Sequence, residues 1–292
     1  MTGWLGRVLI ALSALTVFTG ALAQSLPLWA IVPDVPPLPK PERSGFVNNG
    51  GARLYYAVFN RDGGSPVILL HGGLASSDSW GYEVPRLVGR HEVIVMDSRG
   101  HGRSSMPPTP LSYEQMASDV IAVLDAVRVR KASVVGVSDG GIVGLILGVR
   151  HPDRVNKLFV WGANFNTQSD STAPPDPLMK GMGPIFFARM QAQYQKLSPT
   201  PDGFSALRTK LGQLYAKEPN LTPAKLGSIK AQTVVADGEH EQFIARDHIE
   251  LLARLIPGAR LIILPNVSHG GPQQDPAAFH RAVAALLDGR AS

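Results

Sequence analysis

Apolar residues in this chain fall into short unbroken runs separated by longer amphipathic stretches. The runs "RLYYAVF" (53–59), "PVILLHG" (66–72), "HEVIVMDSRG" (91–100), "ASVVGVS" (132–138), "VNKLFVWGA" (155–163), "AQTVVAD" (231–237) and "ARLIILP" (259–265) are rich in β-branched and aromatic residues. Runs of this length and composition read as strands, most of them buried on both faces. Between them the period becomes helical. Residues 112–127 place Met116, Val120, Val123, Leu124 and Val127 on one face, and Ser112 with Gln115 forms a capping box. Residues 140–151 and a stretch near 245–255 continue the pattern, and Asp275-Pro276 opens a last helix. Strands alternating with helices predict an α/β fold, a mostly parallel sheet with helices on both faces.

Three segments depart from that rhythm. The first residues join one positive charge, Arg7, to the apolar run "VLIALSALTVFTGALA", which ends in Ala21-Leu22-Ala23. This is the composition of a signal peptide over 1–23, with cleavage near Ala23; an uncleaved N-terminal membrane anchor is the alternative. Residues 24–43 are Pro-rich and predict an extended leader. Residues 166–228 interrupt an otherwise regular core of 44–165 and 229–292, and an insertion after one strand of an open sheet predicts a helical lid. Met182, Phe186 and Phe187 in that insertion are candidate substrate contacts, with packing of the insertion onto the body as the plainer role.

Composition narrows the function classes. The 292 residues contain no cysteine, so an exported chain would rely on its core rather than on disulfides, and thiol chemistry is excluded. The formal charge of +5 is scattered, with "RVRK" (128–131) the densest run, so no nucleic-acid partner is indicated. Phosphate loop, dinucleotide fingerprint and H-E-x-x-H motif are all missing. No cofactor or metal is expected, and the sequence leaves the oligomeric state open. Asn220 and Asn266 begin glycosylation sequons; a glycan on the second would obstruct the neighbouring His269.

The candidate chemistry centres on "VVGVSDGG" (134–141). Ser138 stands in a G-x-S-x-G pattern where an apolar strand meets a helix, the placement of a nucleophile elbow. With "LLHGG" (69–73) and "DSRGHGRS" (97–104), this stretch resembles the α/β-hydrolase family, and the resemblance covers most of 44–292 apart from the insertion. Serine followed by Asp-Gly-Gly is similar to the esterase and carbon–carbon hydrolase branches; dehalogenases and epoxide hydrolases carry aspartate there. The resemblance implies Ser138 as nucleophile, His269 in "LPNVSHGG" as base, and the amides of Gly73 and Asp139 as oxyanion donors. It implies an acid just after the penultimate strand. In "VVADGEHEQF" the matching position is Glu241, where most relatives have aspartate, and Asp237 is the alternative. Leu74 and Trp161 join the candidate substrate contacts. The Asp139 carboxylate offers two roles, attracting a cationic substrate group or complementing a helix N-terminus. The expected reaction is hydrolysis of a small carboxylic ester or lactone through an acyl-enzyme. Carbon–carbon hydrolysis, acyl transfer or perhydrolysis with the same triad, and non-catalytic ligand binding, remain as alternatives.

Overall fold

A computed structural model of the chain describes residues 26–169 and 176–289. The expected signal peptide and residues 170–175 of the insertion lie outside the described residues. No helix among the described residues is long and apolar enough to cross a membrane.

Eight strands form one sheet: β1 (Arg43–Asn49), β2 (Ala52–Phe59), β3 (Val67–Leu70), β4 (Val93–Met96), β5 (Ala132–Val137), β6 (Val155–Trp161), β7 (Gln232–Gly238) and β8 (Arg260–Leu264). Their order is β1-β2-β4-β3-β5-β6-β7-β8. The pairs β1/β2 and β2/β4 are antiparallel, and every other neighbouring pair is parallel. Nine helices accompany them among the described residues: α1 (Val84–Leu87), α2 (Tyr113–Val127), α3 (Asp139–Arg150), α4 (Met182–Leu197), α5 (Phe204–Tyr215), α6 (Pro223–Leu226), α7 (Arg246–Leu255), α8 (Gly271–Gln274) and α9 (Pro276–Leu287).

The period of two in each strand divides the core. Ile68, Leu70, Val134, Leu158 and Val160 face one side, with Met116 of α2, Ile142 of α3, Leu207 of α5 and Leu252 of α7. Val67, Leu69, Val135, Phe159 and Trp161 face the other, with Val84 and Leu87 of α1 and Phe279 and Val283 of α9. These side chains are all but fully buried, each worth roughly 1.5–3 kcal/mol relative to exposure. Such two-sided burial is why the central strands carry no polar alternation.

Capping follows the sequence closely. The Ser112 hydroxyl accepts from the Gln115 amide, and Asp275 Oδ1 accepts from the Ala278 amide at 2.8 Å. The inserted segment between β6 and β7 contains α4, α5 and α6. In α5 the stripe Phe204, Leu207, Leu211 and Leu214 is buried, so this helix is anchored in the core rather than laid on it. In α4 only Tyr194 is buried, and Ile185, Phe186 and Phe187 are exposed.

Two features differ from the sequence expectation. β1, whose residues alternate between exposed and half-buried, is an added edge strand with no apolar run to mark it. The leader is extended apart from one 3-10 turn at Leu28–Ala30, and it is bound to the body. Ile31 and Trp29 carbonyls accept from Gln274 Nε2 at 3.0 and 3.3 Å. The Trp29 ring stacks on His240 at 4.6 Å, and Asp34 pairs with Arg189 of α4 at 3.2 Å.

Candidate active site

β5 ends at Val137, and α3 begins at Asp139. The residue between them, Ser138, has φ +55° and ψ −120°, a conformation that costs a non-glycine residue of order 1–3 kcal/mol and is kept only where the surroundings enforce it. A Cβ on Gly136 would lie 2.2 Å from the Gly140 carbonyl oxygen, and one on Gly140 would lie 2.1 Å from that of Leu70. The turn therefore closes only with glycine at both places. The Ser138 amide donates to the Trp161 carbonyl at 2.7 Å, which fixes the elbow to the end of β6.

The next residue after Trp161 completes the arrangement. Gly162 has φ +55°, and a Cβ there would lie 2.7 Å from His269 Cε1 and 2.8 Å from Nδ1. The bare Cα of Gly162 is thus the floor under the His269 ring. His269 Nδ1 and Glu241 Oε2 are 2.7 Å apart. Glu241 Oε1 accepts from the Phe243 amide at 2.7 Å, and the His269 amide donates to Gln242 Oε1 at 3.2 Å. The Phe243 ring meets the imidazole edge-on at 4.9 Å. Burial pulls the His269 imidazole down, but the charge and hydrogen bond of Glu241 outweigh it, and the net shift is upward from 6.5. Burial pushes Glu241 up, yet His269 and the hydrogen bonds it accepts hold it at about 2.

The structure brings Glu241, not Asp237, onto His269. Asp237 Oδ1 accepts from the Gly238 amide at 2.8 Å, while Oδ2 is buried without a hydrogen-bond partner among the described residues. Ser138 Oγ makes no hydrogen bond among the described residues. Donor atoms of Asp237, Glu241 and His269 all lie within 4.8 Å of one another. A tetrahedral ion between Nδ1 and Oε2 would hold those two atoms about 3.4 Å apart, so their 2.7 Å contact is a direct hydrogen bond.

The "HGG" loop is held by His71. Its Nδ1–H donates to the Gly72 carbonyl at 2.8 Å, and its Nε2 accepts from the Ser98 amide at 3.0 Å. Burial lowers its pKa, consistent with the neutral tautomer those bonds require. A Cβ on Gly72 would lie 3.1 Å from Ser138 Cβ, so this loop runs alongside the elbow. The amides of Gly73 and Leu74 have no protein acceptor among the described residues. Leu74 has φ +64° and packs against the core.

Asp139 is buried, and its carboxylate accepts from Tyr113 Oη at 2.9 Å and Tyr215 Oη at 3.0 Å. Burial raises it to about 6, against the lowering effect of both tyrosines and of His269. Neither role considered for it from sequence included these two partners, one from α2 and one from the end of α5. Trp161, a candidate substrate contact from sequence, is instead fully buried beside Phe279 and donates from Nε1 to the His269 carbonyl at 2.9 Å, so it supports the histidine loop. Phe186 and Phe187 contact each other, and the Arg208 guanidinium lies 4.9 Å from the Phe187 ring centre. Phe243, Gln242, Tyr113, Tyr215 and Gly162 were not singled out from sequence. Only Phe243 and Gln242 carried a signal, their adjacency to Glu241.

Comparison with known proteins places the chain in a family. The sequence profile of the alpha/beta hydrolase fold family matches residues 65–210. The chain belongs to the α/β-hydrolase family. Its curated relatives are named hydrolases. A putative carbamate hydrolase RutD from Caulobacter segnis is 29% identical over 258 residues, covering 77% of this chain and 92% of the relative. The human serine hydrolase BPHL is 26% identical over 242 residues, covering 75% of this chain and 77% of the relative. Among α/β-hydrolase structures, Est816, described as an N-acyl homoserine lactone degrading enzyme, superposes with a TM-score of 0.69. It is 27% identical, over 83% of this chain and all of its own.

Proposed function

We propose that the protein is a serine hydrolase acting on a small carboxylic ester or lactone. One observation carries the reading. The strained Ser138 is bonded through its amide to Trp161, and the adjoining Gly162 supports an imidazole already oriented by Glu241 at 2.7 Å. That is a nucleophile, a base and an orienting acid on one framework.

In this mechanism Ser138 Oγ attacks the carbonyl carbon as His269 Nε2 takes its proton. Glu241, bonded to Nδ1, stabilises the imidazolium that forms. The carbonyl oxygen becomes an oxyanion, received by the amides of Gly73 and Asp139, each donor worth about 3–4 kcal/mol. Collapse of this intermediate expels the alcohol, which takes the proton from His269. Water, deprotonated by the same imidazole, then cleaves the acyl-enzyme. The Ser138–His269 hydrogen bond forms with substrate in place, as catalytic bonds often tighten only in the loaded enzyme. The name of Est816 supports a lactone as one substrate class. The composition of residues 1–23 supports export before the reaction takes place.

The test is rapid-mixing kinetics on p-nitrophenyl acetate and butyrate, with hydrolysis of a γ-lactone followed beside them. A burst of nitrophenol stoichiometric with enzyme, absent from Ser138→Ala, is expected. Turnover that persists in Ser138→Ala would refute the reading.

A further inference from the structure

Behind the imidazole and its carboxylate stands a second carboxyl group that the mechanism does not use. Asp237 lies at the end of β7, four residues before Glu241, and is 1% exposed. Its surroundings pose a problem of hydrogen-bond supply. Oδ1 takes the Gly238 amide at 2.8 Å. Oδ2 is buried and accepts no hydrogen bond among the described residues. What faces the carboxyl group is an acceptor, the carboxylate of Glu241, with atoms of the two residues within 4.8 Å. A charged Oδ2 there would be both unsatisfied and repelled, a costly arrangement in a dry site. A protonated Oδ2 turns the same pair into one hydrogen bond and leaves no orphan atom.

We propose that Asp237 retains its proton and donates it from Oδ2 to the Glu241 carboxylate, serving as a positioning residue behind the acid. The inference rests on the reading of Glu241 as the residue that orients His269.

The groups around Asp237 agree. Burial raises it, the charge of Glu241 raises it further, and the net position is well above the usual carboxylate range. The opposing cation is Arg246, whose guanidinium is already engaged by the Gly238 and Glu239 carbonyls at 3.2 and 3.3 Å. From the histidine loop the backbone carbonyls of Val267 and Ser268 close over Gly238, adding acceptors and no charge. Glu241 itself stays ionised: Oε2 faces His269, Oε1 takes the Phe243 amide, and the Asp237 hydroxyl completes its shell. During turnover the Asp237 proton stays in place, and only His269 exchanges protons with the substrate.

The experiment uses the full chain and three variants, with circular dichroism to establish folding. Asp237→Asn replaces a hydroxyl donor with an amide donor of the same shape, and Asp237→Leu removes the donor. Asp237→Leu is expected to lower kcat about tenfold or more through the lost bond to a charged group, and Asp237→Asn to recover most of that loss. The acid limb of kcat/KM in Asp237→Asn should stay within about 0.2 pH units of wild type, because one neutral group replaces another. An infrared difference spectrum, wild type minus Asp237→Asn at neutral pH, should contain the C=O stretch of a protonated carboxylic acid. Absence of that band, or a downward move of the acid limb by half a unit or more, would show an ionised Asp237 and overturn the proposal. The spectrum and the limb need only Asp237→Asn, so they decide the matter even if Asp237→Leu does not fold. Glu241→Gln separates the two levels. Full activity in that variant would remove Glu241 from the mechanism itself, whereas its loss beside an ionised Asp237 would defeat this inference alone.

Discussion

Replacing Gly162 with alanine tests the geometry of the site without touching any reacting atom. The added methyl would lie 2.7 Å from His269 Cε1 and 2.8 Å from Nδ1, and 3.5 Å from Glu241 Oε2. Ordinary carbon contacts are about 3.5–4.0 Å, so the ring must move by roughly 0.7–1 Å, and the 2.7 Å bond to Glu241 moves with it. A misplacement of about 1 Å in a catalytic group costs on the order of 10²-fold in rate. The stability cost is smaller. Alanine at φ +55° is disfavoured by about 1–2 kcal/mol, against a typical stability of about 5–15 kcal/mol. Gly162→Ala should therefore remain folded, with Tm lower by roughly 2–6 °C and kcat/KM for p-nitrophenyl butyrate down about 10²-fold. Melting curves and steady-state kinetics on the same preparation decide it. A folded variant with wild-type kcat/KM would show that the imidazole on Gly162 is not the base.

Three further outcomes follow from the same contacts. Glu241→Gln removes the charge that raises His269, so the acid limb of kcat/KM moves to lower pH while the plateau falls about 10²–10⁴-fold; a pH–rate profile with an unmoved limb refutes the pairing. Asp139, raised from 3.8 to about 6, binds its proton more tightly folded than unfolded. Its contribution to stability is therefore full below pH 3.8 and lost as pH rises through 6, to a penalty of about 3 kcal/mol. Asp139→Asn should raise Tm more at pH 8 than at pH 5, and equal shifts at both would refute the assignment. The pair Arg99–Asp119, 2.6 Å apart and 1% exposed on both sides, is structural. Asp119→Ala should cost about 3–5 kcal/mol in urea unfolding by leaving a buried guanidinium unpaired, and a loss below about 1 kcal/mol would contradict that.

Much of this molecule is legible in its sequence because two-sided burial writes itself as unbroken apolar runs. β3 to β8 match those runs to within a residue, and α2 and α9 start where Ser112 and Asp275 announce them. What escaped has a common cause. β1 sits at the sheet edge with one face only half-buried, so little in its composition demands a strand. The tyrosines on Asp139 come from α2 and α5, 26 residues before it and 76 after it, and no local pattern reports such a meeting. Trp161 read as a pocket residue because a strand's last apolar side chain can face either side. Its register puts it on the same face as Phe159, against Phe279 of α9. Within "ADGEHEQF" the resemblance put Glu241 ahead of Asp237, and the folded turn, which brings Glu241 Oε2 to 2.7 Å from His269 Nδ1, separates the two carboxylates.

The central claim is that Ser138 is the nucleophile, and intact-mass spectrometry after treatment with a fluorophosphonate addresses it directly. The account predicts one covalent adduct per chain, on the peptide containing Ser138, and none on folded Ser138→Ala. An adduct that persists in Ser138→Ala, or a folded wild-type chain that takes up no label, would contradict it.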